Sequence, residues 1–474
     1  MAFNDLPAAI QSVIQQGFLA REFETALRAK LGFRMIADRE PFAGNIGQTI
    51  TKTRPGLLPA VTTPMAPAQV QDITSGLALA NYGVEQYTLG INQYANPMML
   101  NVATSRVAIA NLYLNNAKTL GENAMRSVDT LARNCLFDNY MGGNTRVTVT
   151  LGSAGTTVQV DDVRGFFNTL NTQGQVVVVS AANPLLVVVG SNAYQLTGVV
   201  ADGTAPPLNP WMNGLAFSNT GANSSTAPGG FSGTLTFSTN VSVADGTALN
   251  AVVAATAPRI FRPSIAATNV EVTTTSAISS ANDVNNGKLT MQMVLDAKAV
   301  LSSNAVPPSE RTGNYILYCD PTQMTGLYQD QAFQRFFVGK PDSKEYRQGL
   351  IAELLGVDVI ETNQSAVQTN LYSTVGGNVR RGILTGQGAL IEGEFTGDAY
   401  GAAMAVDDAD GMITVVDGIA HVTREPLDVL KQVVTQTWSY IGGFCAPTDA
   451  LTNPNTIPTA TNAAYKRAII LESL

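Results

Sequence analysis

The stretch Ser105–Tyr140 reads SRVAIANLYLNNAKTLGENAMRSVDTLARNCLFDNY, and its periodicity decides the architecture. Ala117, Leu120, Ala124, Val128, Leu131 and Cys135 step by three or four residues, laying one apolar stripe along a helix. Glu122 stands four residues before Arg126, a favourable pairing away from that stripe. Thirty-six residues predict a rod of roughly 54 Å, longer than most globular helices. Gly142 and Gly143 stop it. Cys135, on the stripe, is expected to be buried packing rather than a reactive thiol.

Upstream, residues 1–47 read as an arm. Leu6, Ile10, Val13 and Ile14 recur at helical spacing, as do Phe23, Ala26, Leu27 and Leu31. Arg34–Gly47, with Pro41 and two glycines, ends the helix and begins an extended run. Thr49–Thr53 and Val84–Gln93 alternate in period two and predict strands. Between them lie about thirty residues rich in Pro, Thr, Ala and Gln, and a connection so long signals interaction. The whole predicts an extended hairpin projecting from the body.

Downstream, residues 143–284 change character. From Asn144 to Val270 the charged residues are Arg146, Asp161, Asp162, Arg164, Asp202, Asp245, Arg259 and Arg262. Val147–Leu151, Val176–Val179, Leu185–Val189 and Thr234–Ser238 are short Val/Thr-rich runs separated by Gly, Asn, Ser and Pro, the pattern of an inserted all-β domain. Mixed α/β signals follow. Leu289, Met293, Val294, Ala297 and Leu301 mark a helix, and Tyr315–Tyr318 a buried strand. Asp320 and Pro321 suit the cap and first position of another helix. Leu354–Glu361 and Gly382–Thr385 predict further strands, and Val433–Ile441 a long one ended by Gly442 and Gly443.

Composition excludes much chemistry. The chain has 474 residues, 45% of them apolar but only 14% charged, against about 25% charged in an ordinary soluble domain. A net charge of −8 argues against gripping nucleic acid through a basic surface. No apolar run approaches the roughly 18 residues of a membrane helix, and the first residues lack the basic-then-apolar signature of a secretory signal. Cys135, Cys319 and Cys445 are widely spaced, so neither a disulfide framework nor a thiolate zinc site is indicated. His421 is the only histidine, and its run Ile419–Thr423 makes it a structural strand residue. Asp407-Asp408-Ala409-Asp410-Gly411 invites a calcium reading, but in EF-hand register Val406 occupies the first ligand position. The sequons at Asn223, Asn240 and Asn363 carry no information without a secretory signal, and no phosphate-loop, dinucleotide or nucleophile-elbow motif is present. No cofactor, metal or catalytic residue is expected. Lys52, Arg54, Arg106, Arg380 and Arg381 are scattered basic residues suited to intersubunit ion pairs or solvent.

The order arm, long hairpin, long helix, inserted β domain, α/β region and long final strand resembles the HK97-fold major capsid proteins of tailed bacteriophages. The resemblance is closest to the N4-type major capsid family. It is carried by Gly47-Gln48-Thr49-Ile50-Thr51-Lys52-Thr53-Arg54 with Gly56-Leu57-Leu58-Pro59, by Ile91-Asn92-Gln93-Tyr94, and by Leu120-Gly121-Glu122 with Asp129-Thr130-Leu131-Ala132-Arg133-Asn134. Asn304-Ala305-Val306-Pro307-Pro308, Tyr318-Cys319-Asp320-Pro321 and Ala352–Thr362 continue it. These stretches cover most of the chain except 143–284, and their specificity lies in order and spacing.

The resemblance implies an α+β fold with an N-arm (1–47), an E-loop (48–95), and a P domain (96–142 and 416–450) holding the spine helix and long strand. It further implies an A domain (285–415) and a C-terminal tail (451–474), with 143–284 as an inserted β domain beyond the minimal fold. The implied function is structural: hexamers and pentamers of one chain closing into an icosahedral virion shell around double-stranded DNA, without sequence-specific contacts. Assembly would occur in the host cytoplasm, with portal and separate scaffolding proteins as partners, and the inserted domain would add intersubunit contacts or dock a decoration protein. Expected intersubunit contacts are Lys52, Arg54, Tyr87, Arg380 and Arg381. Two other readings stay open. One is an encapsulin-like compartment shell, against which the insertion and the E-loop stretches argue. The other is a β-rich bacterial surface protein, against which the spine-like helix and missing secretion signal argue.

Overall fold

The computed structural model describes residues 32–41, 49–55, 84–101, 112–160, 162–171, 176–201, 215–216, 233–248, 250–255, 257–261, 287–337, 354–372, 377–394, 413–424, 433–447, 449–452, 455–458 and 465–473. The helical periodicity expected before Gly32 and the acidic turn at 407–411 lie outside them.

A 3₁₀ turn, Phe33–Ile36, leads into β1 (Ala37–Pro41). Then come β2 (Thr49–Pro55), β3 (Val84–Gly90), β4 (Asn92–Asn101) and helix α1 (Leu112–Met141). The next strands are β5 (Asn144–Arg146), β6 (Gly155–Val160), β7 (Asn168–Leu170), β8 (Val176–Val178), β9 (Leu185–Val189) and β10 (Asn192–Ala201). They are followed by β11 (Leu215–Ala216), β12 (Gly233–Val241), β13 (Ala251–Ala254) and β14 (Ile260–Phe261). Next are α2 (Met291–Ser303), β15 (Tyr315–Cys319), α3 (Pro321–Gln329), α4 (Gln331–Phe337), β16 (Val357–Glu361), β17 (Ala366–Tyr372) and β18 (Gly377–Thr385). Last come β19 (Leu390–Glu394), β20 (Ile413–Val416), β21 (Ile419–Arg424), β22 (Val433–Cys445), β23 (Asp449–Thr452), β24 (Asn455–Pro458) and β25 (Ala468–Ser473).

The chain divides into two compact units. The first gathers Met1–Ile50, Leu89–Phe137 and Gly388–Ala446. Its sheet runs β1-β19-β22-β21-β20, with β4 also paired to β22. The 13-residue β22 organises it, holding β4 antiparallel from Val433↔Asn101 to Gly442↔Asn92 and β21 antiparallel from Thr435↔Arg424 to Tyr440↔Ile419. Asp417 and Gly418, at φ 53° and 78°, make the two-residue turn between β20 and β21 in the left-handed geometry that hairpins favour. Leu120, Ala124 and Val128 of α1 pack with Ile419, Trp438 and Tyr440. Each large side chain so buried contributes about 1.5–3 kcal/mol. The Trp438 indole N–H donates to Asn123 Oδ1 at 2.9 Å, satisfying the polar end of a buried ring.

Three expectations are corrected here. The buried stripe of α1 continues from Val128 through Ala132 to Leu136, and Cys135 is half-buried. A straight helix advances 3.6 residues per turn, so a step of three after Val128 leaves the packed face. Val84–Gln93 is not one strand, because the chain breaks pairing at Ile91 and β4 joins β22. Gly442 and Gly443 do not end β22, which runs on to Cys445. A Cβ at Gly443 would overlap the Gly90 carbonyl, so glycine here permits close backbone approach rather than a turn.

The second unit gathers Thr51–Thr88, Asp138–Gln387 and Pro447–Leu474. Strands β2 and β3 pair as a two-stranded ladder. Helix α1 ends at Met141, and Gly143 takes φ 77° beside Gly165. A six-stranded sheet follows in the order β5-β13-β9-β10-β12-β6, its inner face built of Val158, Val160, Leu185, Val187, Val189, Leu196, Leu235 and Phe237. Strand β9 matches the predicted run residue for residue, but Val147–Leu151 is not a strand; Val147 makes only an isolated bridge to Val160.

The second sheet of this unit runs β11-β17-β18-β15-β16, with β25 on β18 and β14 on β25. Strand β15 is fully buried, and α2 packs Met293, Val294, Ala297 and Leu301 into the cluster beneath it. Asp320 caps α3 through a reciprocal capping box with Gln323, and Pro321 takes the first turn. Two strands from within 143–284, β11 and β14, belong to this sheet rather than to the six-stranded one. Strands β19 and β20, expected with the region ending at 415, pair in the first unit. Residues 468–473 are no tail: β25 is buried along its whole length between β14 and β18.

Candidate functional site

Strand alternation sends the adjacent arginines of β18 to opposite faces. Arg380 is partly exposed and donates to Asp320 Oδ1 at 2.8 Å. Arg381 is fully buried, its Nε donating to Glu472 Oε1 at 3.0 Å. That removes Arg381 as a contact between subunits: its guanidinium is committed inside the chain. Tyr87, only 7% exposed, is likewise an internal side chain. Lys52 is half-buried on β2, and Arg54 lies on the same strand with its side chain outside the described residues.

Several of the described charged residues are interior. Arg146 of β5 also bonds Glu472, so one carboxylate from β25 serves two buried arginines from two sheets. The Gln323 amide donates to Leu471 O at 3.1 Å and fastens α3 to the same strand. Arg164 bridges Asp162 at 2.9 Å and Asp138 at 2.7 Å. Burial opposes its charge, but the two carboxylates outweigh burial and raise its pKa.

Asp245 is a second hub. It accepts from Ser191 N at 3.0 Å, Asn192 Nδ2 at 2.9 Å, Tyr194 Oη at 2.7 Å and Ser242 Oγ at 2.7 Å. Burial alone would raise its pKa, but these donors win and hold it at about 2.

In the first unit, Arg34 forks onto Glu392 at 2.7–3.1 Å, donates to Asp417 O at 2.9 Å, and lies 5.6 Å over the Tyr440 ring. Tyr440 Oη donates to the same Glu392 at 2.8 Å, and Arg39 reaches Asp417 at 2.6 Å. The Arg34 backbone N–H donates to Asp129 of α1 at 3.1 Å. Burial raises the Asp129 pKa, against the opposing effect of these donors. Residues 33–41 are therefore clamped at both backbone and side chain. No periodicity announced this, because lone arginines among apolar residues carry no pattern.

These networks position backbone; they do not activate a nucleophile. Burial raises the Cys319 thiol pKa, and the Asp320 and Glu361 charges add to it. Burial also lowers His421 to about 4. Among the described residues no three His, Cys, Asp or Glu side chains gather to hold a metal, and no helix is long and apolar enough to cross a membrane. What the geometry offers is surface. The two-stranded β2–β3 ladder exposes Thr51 and Thr53, and the outward face of the six-stranded sheet is open.

No family model matches the chain, and no curated protein does. Solved structures similar to it include the capsid of Ralstonia phage GP4, with 11% identity over 92% of this chain and 87% of that one and a TM-score of 0.43. The capsid of the cyanophage P-SCSP1u shows 10% identity over 93% and 86% at a TM-score of 0.43. The cyanophage Pam1 capsid shows 12% identity over 92% and 88% at a TM-score of 0.41.

Proposed function

We propose that the chain is a major capsid subunit of a tailed bacteriophage, a structural protein and not an enzyme. It has an HK97-like α+β fold nearest the N4-type family and carries an inserted β domain. The observation that carries this reading is the joint between α1 and β22. The strand stretch that the resemblance assigns to the spine helix packs on that helix, with Trp438 and Tyr440 against Leu120, Ala124 and Val128. Copies form hexamers and pentamers of a closed shell around double-stranded DNA, assembled in the host cytoplasm with portal and scaffolding proteins. Residues 48–95 reach across neighbouring copies, where Lys52 and Arg54 serve as contacts. Arg380 keeps some exposure for the same use. An interior ion network suits a subunit whose surfaces must meet many neighbours without a large field.

Negative-stain electron microscopy and light-scattering mass test the reading, with the chain expressed alone and with its genomic neighbours. Closed shells, tubes or capsomer rings are expected. A uniform monomer or dimer in every arm and salt condition overturns it.

A further inference from the structure

The register of the six-stranded sheet fixes which residues share its outward face. Thr236 stands opposite Thr157 on one side and Gly198 on the other, while Thr234 stands between Gln159 and Val200. On the next strand Leu186 pairs with Gln195. Val200 is 64% and Leu186 43% exposed, and Thr157, Gln159 and Gln195 are exposed too. No Asp, Glu, Lys, Arg or His occurs in β6, β9, β10 or β12. Four adjacent strands without a charge on their open side have the composition of an interface core, where charged residues are depleted.

We infer that this uncharged face is a contact between copies of the chain, an inference that rests on the assembly reading above. Two observations choose a second copy as occupant. Every copy carries a net charge of −8, so copies approach at least electrostatic cost through a face that bears none of it. The area is also small. Four strands about 4.8 Å apart and five residues deep give roughly 320 Å², under half of the roughly 800 Å² per partner of a stable complex. A free partner gains too little from such a face. A copy already held by its other contacts needs only this much, because the second contact forms at high effective concentration.

The test places charge at the centre of the face and a photo-cross-linker beside it. Thr236→Lys and Thr236→Glu, with Thr236→Asn as the neutral control, are compared for subunit melting and particle yield. Gln159→Lys repeats the test at an exposed position. All four are expected to melt as the parent does. Both charged Thr236 variants and Gln159→Lys should lose at least tenfold in particle yield or in particle survival at raised denaturant, and Thr236→Asn should lose nothing. Benzoylphenylalanine at Val200 should cross-link chain to chain in particles and not in dilute subunits. Unchanged yield in the charged variants overturns the inference and leaves the assembly reading standing, as does a cross-link only to a different polypeptide. Failure of the unaltered chain to form particles in any arm overturns both.

Discussion

Glu472→Gln isolates the charge of the carboxylate on which two buried arginines converge. Glu472 and Arg381 are fully buried and Arg146 is 2% exposed, so no water replaces what is lost. Glutamine keeps the shape and one accepting oxygen, so one arginine retains a neutral hydrogen bond while both lose the anion. Removing one partner of a buried pair costs about 3–5 kcal/mol, chiefly because the other charge is left uncompensated. That range applies here rather than its double, because the amide oxygen remains. Hydrogen exchange followed by mass spectrometry on the chain in dilute solution reads the loss locally. Peptides over 377–385 and 466–473 should lose about two to four powers of ten in protection. Arg381→Met in the Glu472→Gln background should recover part of it, since one stranded cation is gone. A loss below about 1 kcal/mol, or strictly additive single effects, would refute the view that the site is dry and mutually dependent.

Four further outcomes are expected. The folded pKa of Asp245, about 2, lies below its ordinary 3.8, so its contribution of about 2 kcal/mol is complete above pH 4 and lost as pH falls toward 2. Asp245→Asn should flatten that acid slope in urea melts. His421 is lowered from 6.5 to about 4, so the fold is progressively opposed as pH drops through that window. NMR of the lone imidazole should show titration near 4, and an unshifted value near 6.5 would contradict its burial. Gly443→Ala should cost about 2–4 kcal/mol or abolish soluble yield, because the added carbon meets the Gly90 backbone. Maleimide should label half-buried Cys135 in the native chain and leave Cys319 and Cys445 unmodified until urea is added.

Much of this architecture was legible because periodicity is a local property. The stripe from Ala117 to Val128 records a buried face, and the alternation in Thr49–Thr53 a half-buried one. The Asp320-Pro321 cap was readable because a capping carboxylate followed by proline is a signal within two residues, and the structure adds Gln323 three residues on. What stayed hidden depends on partners remote in sequence. Ala468–Ser473 is buried on both faces, so it shows a short apolar run with no alternation to mark it. Arg381 reads like any surface arginine until Glu472 arrives 91 residues later. Gly442 and Gly443 look like a stop because the backbone that crowds them, Gly393 O at Gly442 and Gly90 at Gly443, lies in other segments. The uncharged sheet face was half visible, as a stretch poor in charge, but only the strand register gathers Thr157, Thr236 and Val200 together.

The joint between α1 and β22 also carries a cost in time. Asn123 meets Trp438 across 315 residues of intervening chain. At about 5–20 residues per second, a ribosome takes roughly 15–60 s to cover that distance. Throughout that interval the apolar stripe of α1 has been made and strands β21 and β22, on which it packs, have not, while most of the second unit is synthesised between them. Nascent chains should therefore recruit chaperones at the stripe and release them only once β22 has emerged.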